Sequence, residues 1–202
     1  MSFAKRQRAA LTDLLDELGP FAPTQCEGWQ TQDLAAHLYV REHKLGALPG
    51  IGLERFAEKT EQFQNRALHS MDYPALVEEI RTPGWIMRPL DGLVNTSEFF
   101  IHHEDVLRAN GRSQTLTAKE QQELWPLVQV MARRVQAKAG DQLRLTRTDK
   151  GEEKQIGTGE RSIHLSGLPS ELLLHLTGRD SDVDLVADPP VLDNWLRSLL
   201  SL

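Results

Sequence analysis

The chain has 202 residues, of which 40% are hydrophobic and 26% charged, and its formal net charge is −6. This composition is typical of a globular protein with one substantial core, or with a core and a small second domain. No run approaches the roughly 18 apolar residues of a membrane span, and the acidic balance without a Lys/Arg cluster argues against nucleic acid, whose phosphates require a positive surface.

The N-terminal segment predicts a helix rather than a leader peptide. Leucines between Leu11 and Leu18 follow the spacing of one helical face, and Gly19 with the next proline ends the pattern. Charged residues are mixed with the apolar ones, so the apolar core of a signal peptide is missing. The single cysteine, Cys26, cannot form an intramolecular disulfide, which suits a reducing compartment. We therefore expect a cytoplasmic protein.

The next segments also read as helices. Thr31 can cap a second helix that runs to about Leu45, and apolar positions within 53–63 predict a third. Pro74 suits the first turn of a short fourth helix. Residues 82–92, TPGWIMRPLDG, are predicted to form a loop, and a helix containing the motif NTSEFFIHHED follows it.

A sixth helix is marked by TAKE, which matches a capping box from Thr117 to Glu120. It should end near Gly140. Pro126 lies inside this helical pattern and predicts a kink or a break, because proline removes a backbone hydrogen bond.

The pattern changes after residue 140. QLRLTRT alternates with the two-residue period of a strand, DKGEEK reads as a turn, and RSIHLSG and VDLVA are further strand candidates. LPSELLLHLTG and PPVLDNWLRSLLSL read as helices with proline near their starts. The sequence therefore predicts a mainly α protein, with a helical bundle in residues 1–140 and a small α/β domain in residues 141–202.

The motif NTSEFFIHHED raises the question of why acidic residues and histidines lie in an otherwise apolar helix. At about 100° per residue, Glu98 and His102 share a face that turns away from the predicted solvent side. A buried carboxylate must be neutralised, paired or bound to a metal. A glutamate and an imidazole one turn apart can be two ligands of one divalent cation, although this spacing is more common in surface pairs.

A third candidate lies on the second helix. In DLAAHL, His37 shares the inward face of its leucine neighbours. A histidine in such a position is usually a core residue that is hydrogen-bonded. With two helices presenting inward ionisable groups, His37, Glu98 and His102 would form a His₂Glu set with an open coordination position. Asp105, one turn beyond His102, is either an orienting partner of that ring or an ordinary helix-face carboxylate.

Two motifs together carry a family resemblance. TQCEGWQTQDLAAHL, residues 24–38, closely resembles the T-x-C-x-G-W…DL-x-x-HL signature of mycothiol-dependent maleylpyruvate isomerase-like proteins, and EFFIHHED resembles their E-x-x-x-H-x-x-D signature. The order, the spacing and the tail LPSELLLHLTGR extend the resemblance over nearly the whole chain. It implies a DinB-like four-helix bundle followed by a small α/β domain, with a divalent metal, usually zinc, on His37, Glu98 and His102.

The resemblance also implies a chemistry. Family members of known activity use a low-molecular-weight thiol, mycothiol, at the open metal position, so it implies a thiol-dependent isomerase or S-transferase acting on a small electrophilic substrate. Addition, rotation and elimination would isomerise the substrate, whereas displacement would transfer the thiol. Arg179, after the helix LPSELLLHLTG, could hold a substrate carboxylate bidentately, although a surface arginine is the commoner explanation.

Other functions remain open at this point. A metal-dependent hydrolase would replace the thiol with water and could use Asp105 as its general base. A noncatalytic protein could bind a small apolar ligand in its α/β part, and a metal-free bundle could satisfy its polar groups internally. Cys26 is expected to be a small buried residue that packs before Trp29. The substrate, the metal, the thiol and the oligomeric state are not determined by the sequence.

Overall fold

The computed structural model describes residues 2–43, 57–83 and 94–200, and contacts divide the chain into two compact units, Met1–Gln114 and Thr115–Leu202. The described helices of the first unit are α1 Phe3–Leu18, α2 Thr31–His43, α3 Ala57–Ser70, α4 Tyr73–Arg81 and α5 Val94–Ala109. The second unit contains α6 Ala118–Ala139, β1 Gln142–Arg147, β2 Glu152–Ile156, β3 Ser162–Gly167, α7 Pro169–Leu176, β4 Asp184–Val186 and α8 Pro189–Leu200. Among the described residues, none of the helices is long and apolar enough to cross a membrane.

The first unit is a helical bundle around an apolar core. α1 packs against α4 and α5, and α2 packs against α3 and α4. Leu11, Leu15, Leu34 and Phe99 are fully buried in this core. Burial of each such side chain contributes about 1.5–3 kcal/mol to folding. The bundle thereby fixes α2 and α5, the two helices that carry the predicted metal ligands.

The predicted helix boundaries in this unit are largely confirmed. α1 ends at Gly19, whose φ of 76° is a backbone conformation that favours glycine. α2 begins at Thr31, and α4 has Pro74 in its first turn after an Asp72 N-cap. The predicted end of the second helix at Leu45, the first residues of the predicted third helix and most of the predicted loop 82–92 lie outside the described residues.

The second unit is a mixed sheet of order β2-β1-β3-β4 covered by helices. β1 pairs in parallel with β3 and antiparallel with β2, and β3 pairs antiparallel with β4. Leu143, Leu145, Ile163 and Leu165 are fully buried on one side of the sheet. β2 was not predicted, because residues 152–155 are exposed and lack apolar alternation. Backbone pairing with β1 forms this strand, and its charged residues suit a sheet edge.

α6 confirms the predicted capping box and lacks the break that was one of the two outcomes predicted at Pro126. Thr117 and Glu120 cap each other's backbone groups, and Gly140 ends the helix in a left-handed conformation. The helix nevertheless runs unbroken through Pro126 for 22 residues. Trp125, which is 2% exposed, is anchored in the unit next to the proline, so tertiary packing outweighs the lost backbone hydrogen bond.

The fold class agrees with the sequence: a mainly helical first part precedes a small sheet with helices. The division by contacts falls before α6, because α6 packs on α7 and α8 and also contacts β1 and β2. The predicted change near residue 140 corresponds to the start of β1 at Gln142. A functional division into residues 1–140 and 141–202 stays a prediction.

Candidate metal centre

Three predicted ligands meet between α2 and α5. His37 lies on α2, whereas Glu98 and His102 lie one turn apart on α5. Glu98 Oε1 is 3.3 Å from His37 Nε2 and 3.4 Å from His102 Nε2. One donor atom from each of the three side chains lies within 4.8 Å of the other two. The structure therefore brings together the residues that the sequence predicted as a set.

Two of the three donor-atom separations have the length that a tetrahedral zinc site requires. Ligand bonds of about 2.0–2.2 Å at tetrahedral angles separate neighbouring donor atoms by about 3.3 Å. The two nitrogen-to-carboxylate distances, 3.3 and 3.4 Å, agree with that edge length. Imidazole nitrogen and carboxylate oxygen are also donors that zinc accepts. The side chains of His37 and Glu98 are 13% and 22% exposed, so a small ligand can approach from their side.

His37 is held by two further side chains of the first unit. Gln64 Nε2, from α3, lies 2.9 Å from His37 Nδ1, and the Gln64 amide can donate or, after rotation, accept a hydrogen bond. The Trp29 ring lies 5.1 Å from the imidazole ring, centroid to centroid. These contacts orient the ring so that Nε2 faces Glu98. The sequence did not single out Gln64, because nothing in the α3 pattern distinguishes it from a surface glutamine.

Glu98 contacts a buried guanidinium that the sequence analysis missed. Arg41 Nε lies 3.3 Å from Glu98 Oε1, and Arg41 Nη1 donates to Asn95 Oδ1. Burial raises the pKa of Glu98, but the charge of Arg41 and hydrogen bonds from both histidines outweigh it, so the pKa lies well below its usual range. Arg41 follows His37 by one helical turn, and that spacing was the available signal.

The two histidines differ in their surroundings. Burial lowers the pKa of His37, and the contact with Glu98 opposes this only in part. Burial also disfavours a charge on His102, but hydrogen bonds with Asp105, Cys26 and Glu98 outweigh it and raise the pKa well above its usual value. His37 is therefore readily neutral, whereas a metal ion must displace a proton from His102.

His102 is oriented from its other ring nitrogen. Asp105 Oδ2 lies 3.0 Å from His102 Nδ1, and Asp105 is fully buried. A carboxylate in this position fixes the tautomer and the orientation of a metal-binding imidazole. The contact agrees with the orienting role predicted for Asp105, and the role itself stays a prediction.

The Asp105→Asn variant is expected to bind zinc about 10–100-fold more weakly, because the amide removes the charge that increases the basicity of the imidazole. The measurement is a competition titration against a chelator of known affinity. The Asp13 carboxylate on α1 is 71% exposed, so Asp13→Asn makes the same chemical change at the surface. This control variant should bind zinc like the wild type. Equal zinc affinity in Asp105→Asn would contradict the orienting role.

The T-x-C-x-G-W motif shapes the loop before α2. Thr24 Oγ1 accepts from the backbone N–H of Cys26 at 3.2 Å and donates to the carbonyl of Trp29 at 2.9 Å. Gly28 has a φ of 76°, which explains why glycine occupies that position. Cys26 is half-buried, and its Sγ lies 3.3 Å from Asp105 Oδ2. Cys26 was expected to be buried, whereas it is half-buried with its sulfur against a carboxylate; its packing before Trp29 stays a prediction.

Arg179 lies in the second unit, after α7. Its Nη1 donates to the carbonyl oxygen of Thr177 at 2.7 Å, and the side chain is half-buried. This contact fixes the guanidinium near the end of the helix. Its predicted contact with a substrate carboxylate stays a prediction.

Comparisons with known proteins identify the fold. No family model matches the sequence, and no curated protein matches it. The crystal structure of the mycothiol-dependent maleylpyruvate isomerase matches with a TM-score of 0.63 and 15% identity over 91% of this chain and 90% of that chain. A histidine-to-alanine mutant of that enzyme matches with a TM-score of 0.62 and 14% identity over the same shares. The chain therefore has the fold of that isomerase, as the resemblance implied.

Proposed function

We propose that the chain is a zinc-dependent enzyme that uses a small thiol, of the mycothiol type, to isomerise a small electrophilic substrate or to transfer the thiol to it. The position of Glu98 Oε1, 3.3 and 3.4 Å from the Nε2 atoms of His37 and His102, carries the proposal. The likeness to a mycothiol-dependent isomerase supports the choice of reaction.

The residues present fit such a metal. His37, Glu98 and His102 would supply three ligands and leave a position open. A zinc ion there would supply the Lewis acidity that keeps a coordinated thiol deprotonated. The partly exposed side chains of His37 and Glu98 leave that side accessible to a thiol and to a substrate.

The charges around the centre favour an anion as the fourth ligand. Glu98 and Asp105 are carboxylates, and the Arg41 guanidinium lies 3.3 Å from Glu98 Oε1 and is 4% exposed. With a divalent cation added, these groups together leave one positive charge. A thiolate or a hydroxide would neutralise that charge, whereas neutral water would not. Arg41 thereby holds Glu98 in place and favours an anionic ligand.

The hydrolase alternative has less support from the geometry. Its natural general base, Asp105, contacts Nδ1 of His102, whereas the other ring nitrogen, Nε2, is the one that faces Glu98. Asp105 is also fully buried, so a water molecule at the open position would not be within its reach. The thiol-dependent reaction needs no such base, because the thiol arrives with its own nucleophilic sulfur.

The test is turnover by zinc-loaded protein with two probe electrophiles, maleylpyruvate and an activated aryl halide, each with and without mycothiol. We expect at least one rate to require both zinc and the thiol, and to fall by more than about 100-fold in His37→Ala, since one lost ligand weakens zinc binding by roughly this factor. His69→Ala, on exposed His69 of α3, is the matched control and should keep the wild-type rate. Turnover independent of the thiol, or unchanged in His37→Ala, would contradict the proposal.

A further inference from the structure

The imidazole of His102 faces two different sets of donor atoms. Its Nε2 lies 3.4 Å from Glu98 Oε1, within the proposed zinc centre. Its Nδ1 lies 3.0 Å from Asp105 Oδ2 and 3.9 Å from Cys26 Sγ, and the Cys26 Sγ to Asp105 Oδ2 distance is 3.3 Å. The second set thus contains one sulfur, one nitrogen and one carboxylate oxygen, all mutually close.

These three distances resemble the edges of a tetrahedral metal site. Zinc bonds of about 2.3 Å to sulfur and about 2.0–2.1 Å to nitrogen or oxygen give edges of about 3.3–3.6 Å. The observed separations, 3.0, 3.3 and 3.9 Å, depart from those edges by only a few tenths of an ångström. The set therefore has approximately the edges of a zinc site, and the larger Cd²⁺ ion would require the donor atoms to separate further.

The position of the Cys26 sulfur is fixed by its loop. The N–H of Gln25 donates to the carbonyl oxygen of Asp105 at 3.0 Å, which joins the loop to α5 beside the carboxylate. Thr24 Oγ1 accepts from the N–H of Cys26 and closes the turn. Cys26 is half-buried, so an ion can reach the sulfur, whereas Asp105 is fully buried.

We propose that Cys26, Asp105 and Nδ1 of His102 form a second cation site, which takes a thiophilic ion such as Cd²⁺ in place of an ion at the His37–Glu98–His102 centre. The thiolate makes this set softer than the nitrogen and oxygen donors of the other centre, so it prefers thiophilic metals. The site uses the chain's own sulfur and does not depend on the proposed thiol reaction.

The two positions share the His102 imidazole and are therefore mutually exclusive. The protonated imidazole carries one proton on each ring nitrogen. An ion at Nε2 displaces the proton of that nitrogen to solvent and leaves the other on Nδ1, where it is donated to Asp105. An ion at Nδ1 displaces the Nδ1 proton and the thiol proton of Cys26 to solvent and leaves the Nε2 proton, which is donated to Glu98. His102 therefore binds one ion at a time.

The test is a Cd²⁺ titration of metal-free, reduced protein, followed by the ultraviolet thiolate-to-cadmium charge-transfer band and by the cadmium content per chain. We expect the band to reach its plateau at a single Cd²⁺ per chain and to persist in His37→Ala, which lacks a ligand of the other centre. Cys26→Ser keeps a hydroxyl beside Asp105 and removes the sulfur, so it should lose the band.

The variants separate this inference from the proposed zinc enzyme. If the wild type does not bind zinc but still gives the cadmium band, the zinc centre is refuted and the second site is not. Cadmium bound without the band, or a band that survives in Cys26→Ser, would overturn the second site. A band lost in His37→Ala would also overturn it, because the ion would then depend on the first centre. Two cadmium ions bound per chain would contradict the inference that only one of the two sites can be occupied at a time.

Discussion

The Glu98→Gln variant is expected to bind zinc on the order of 100-fold more weakly than the wild type, or not at all. Zinc sites with four ligands have apparent binding free energies of about 10–16 kcal/mol, so an equal share per ligand is about 3 kcal/mol, or on the order of 100-fold in Kd. Glu98 is the ligand whose oxygen contacts both imidazoles. Glutamine keeps the shape and removes the charge, so the variant tests the anion and not the packing.

A matched control lies on the same helix. Glu104 is 5% exposed and is bound by Arg108 Nε at 2.7 Å, away from the His37 contact. Glu104→Gln therefore makes the same chemical change at a buried carboxylate of α5 and should leave the zinc content unchanged. Elemental mass spectrometry measures the zinc content per chain of both variants and of the wild type. Full zinc content in Glu98→Gln would show that the carboxylate is not a ligand.

The three-ligand set was predictable from the sequence because it follows helical geometry. Residues four apart on a helix share a face, which placed Glu98 with His102, and the position of His37 among leucines placed it on an inward face. The structure places the donor atoms of these residues within 4.8 Å of one another. What the spacing could not predict is how α2 and α5 meet, which depends on packing throughout the bundle.

The residues that hold the ligands were harder to predict, because they come from separate parts of the chain. Gln64 reaches His37 from α3, and the Cys26 sulfur reaches Asp105 from the loop before α2. No local pattern relates such pairs. Arg41 did carry a local signal, since it lies one turn beyond His37, but a charged residue at such a position usually faces solvent.

The strand β2 was missed for a different reason. Its first four residues are exposed and charged or polar, so no two-residue hydrophobic period marks them. The strand forms because its backbone pairs with β1 from Leu143 to Arg147. Edge strands of this type are defined by the neighbouring strand and not by their own side chains. The unbroken α6 has the same kind of cause, because buried neighbours of its proline hold the helix together.

The largest stability loss is expected from Glu42→Gln. Arg8 Nη2 and Asn95 Nδ2 both donate to Glu42 Oε1 at 3.0 Å, and Arg41 Nη1 lies 3.8 Å from the same oxygen. Glu42 is fully buried and Arg8 is 2% exposed. Removing the carboxylate charge takes from the buried Arg8 guanidinium the carboxylate it contacts at 3.0 Å, and breaking a buried ion pair in this way costs about 3–5 kcal/mol. Urea unfolding monitored by circular dichroism measures the loss.

The exposed pair of Glu17 with Arg112 is the control for this prediction. Its side chains are 61% and 40% exposed, so Glu17→Gln should leave the urea midpoint nearly unchanged. The double variant Arg8→Met/Glu42→Leu removes both buried charges together, and such replacements are often neutral or stabilising. We therefore expect the double variant to be more stable than Glu42→Gln alone. A double variant that loses more stability than Glu42→Gln would mean that the ion pair itself, and not the uncompensated charge, stabilises the bundle beneath the metal centre.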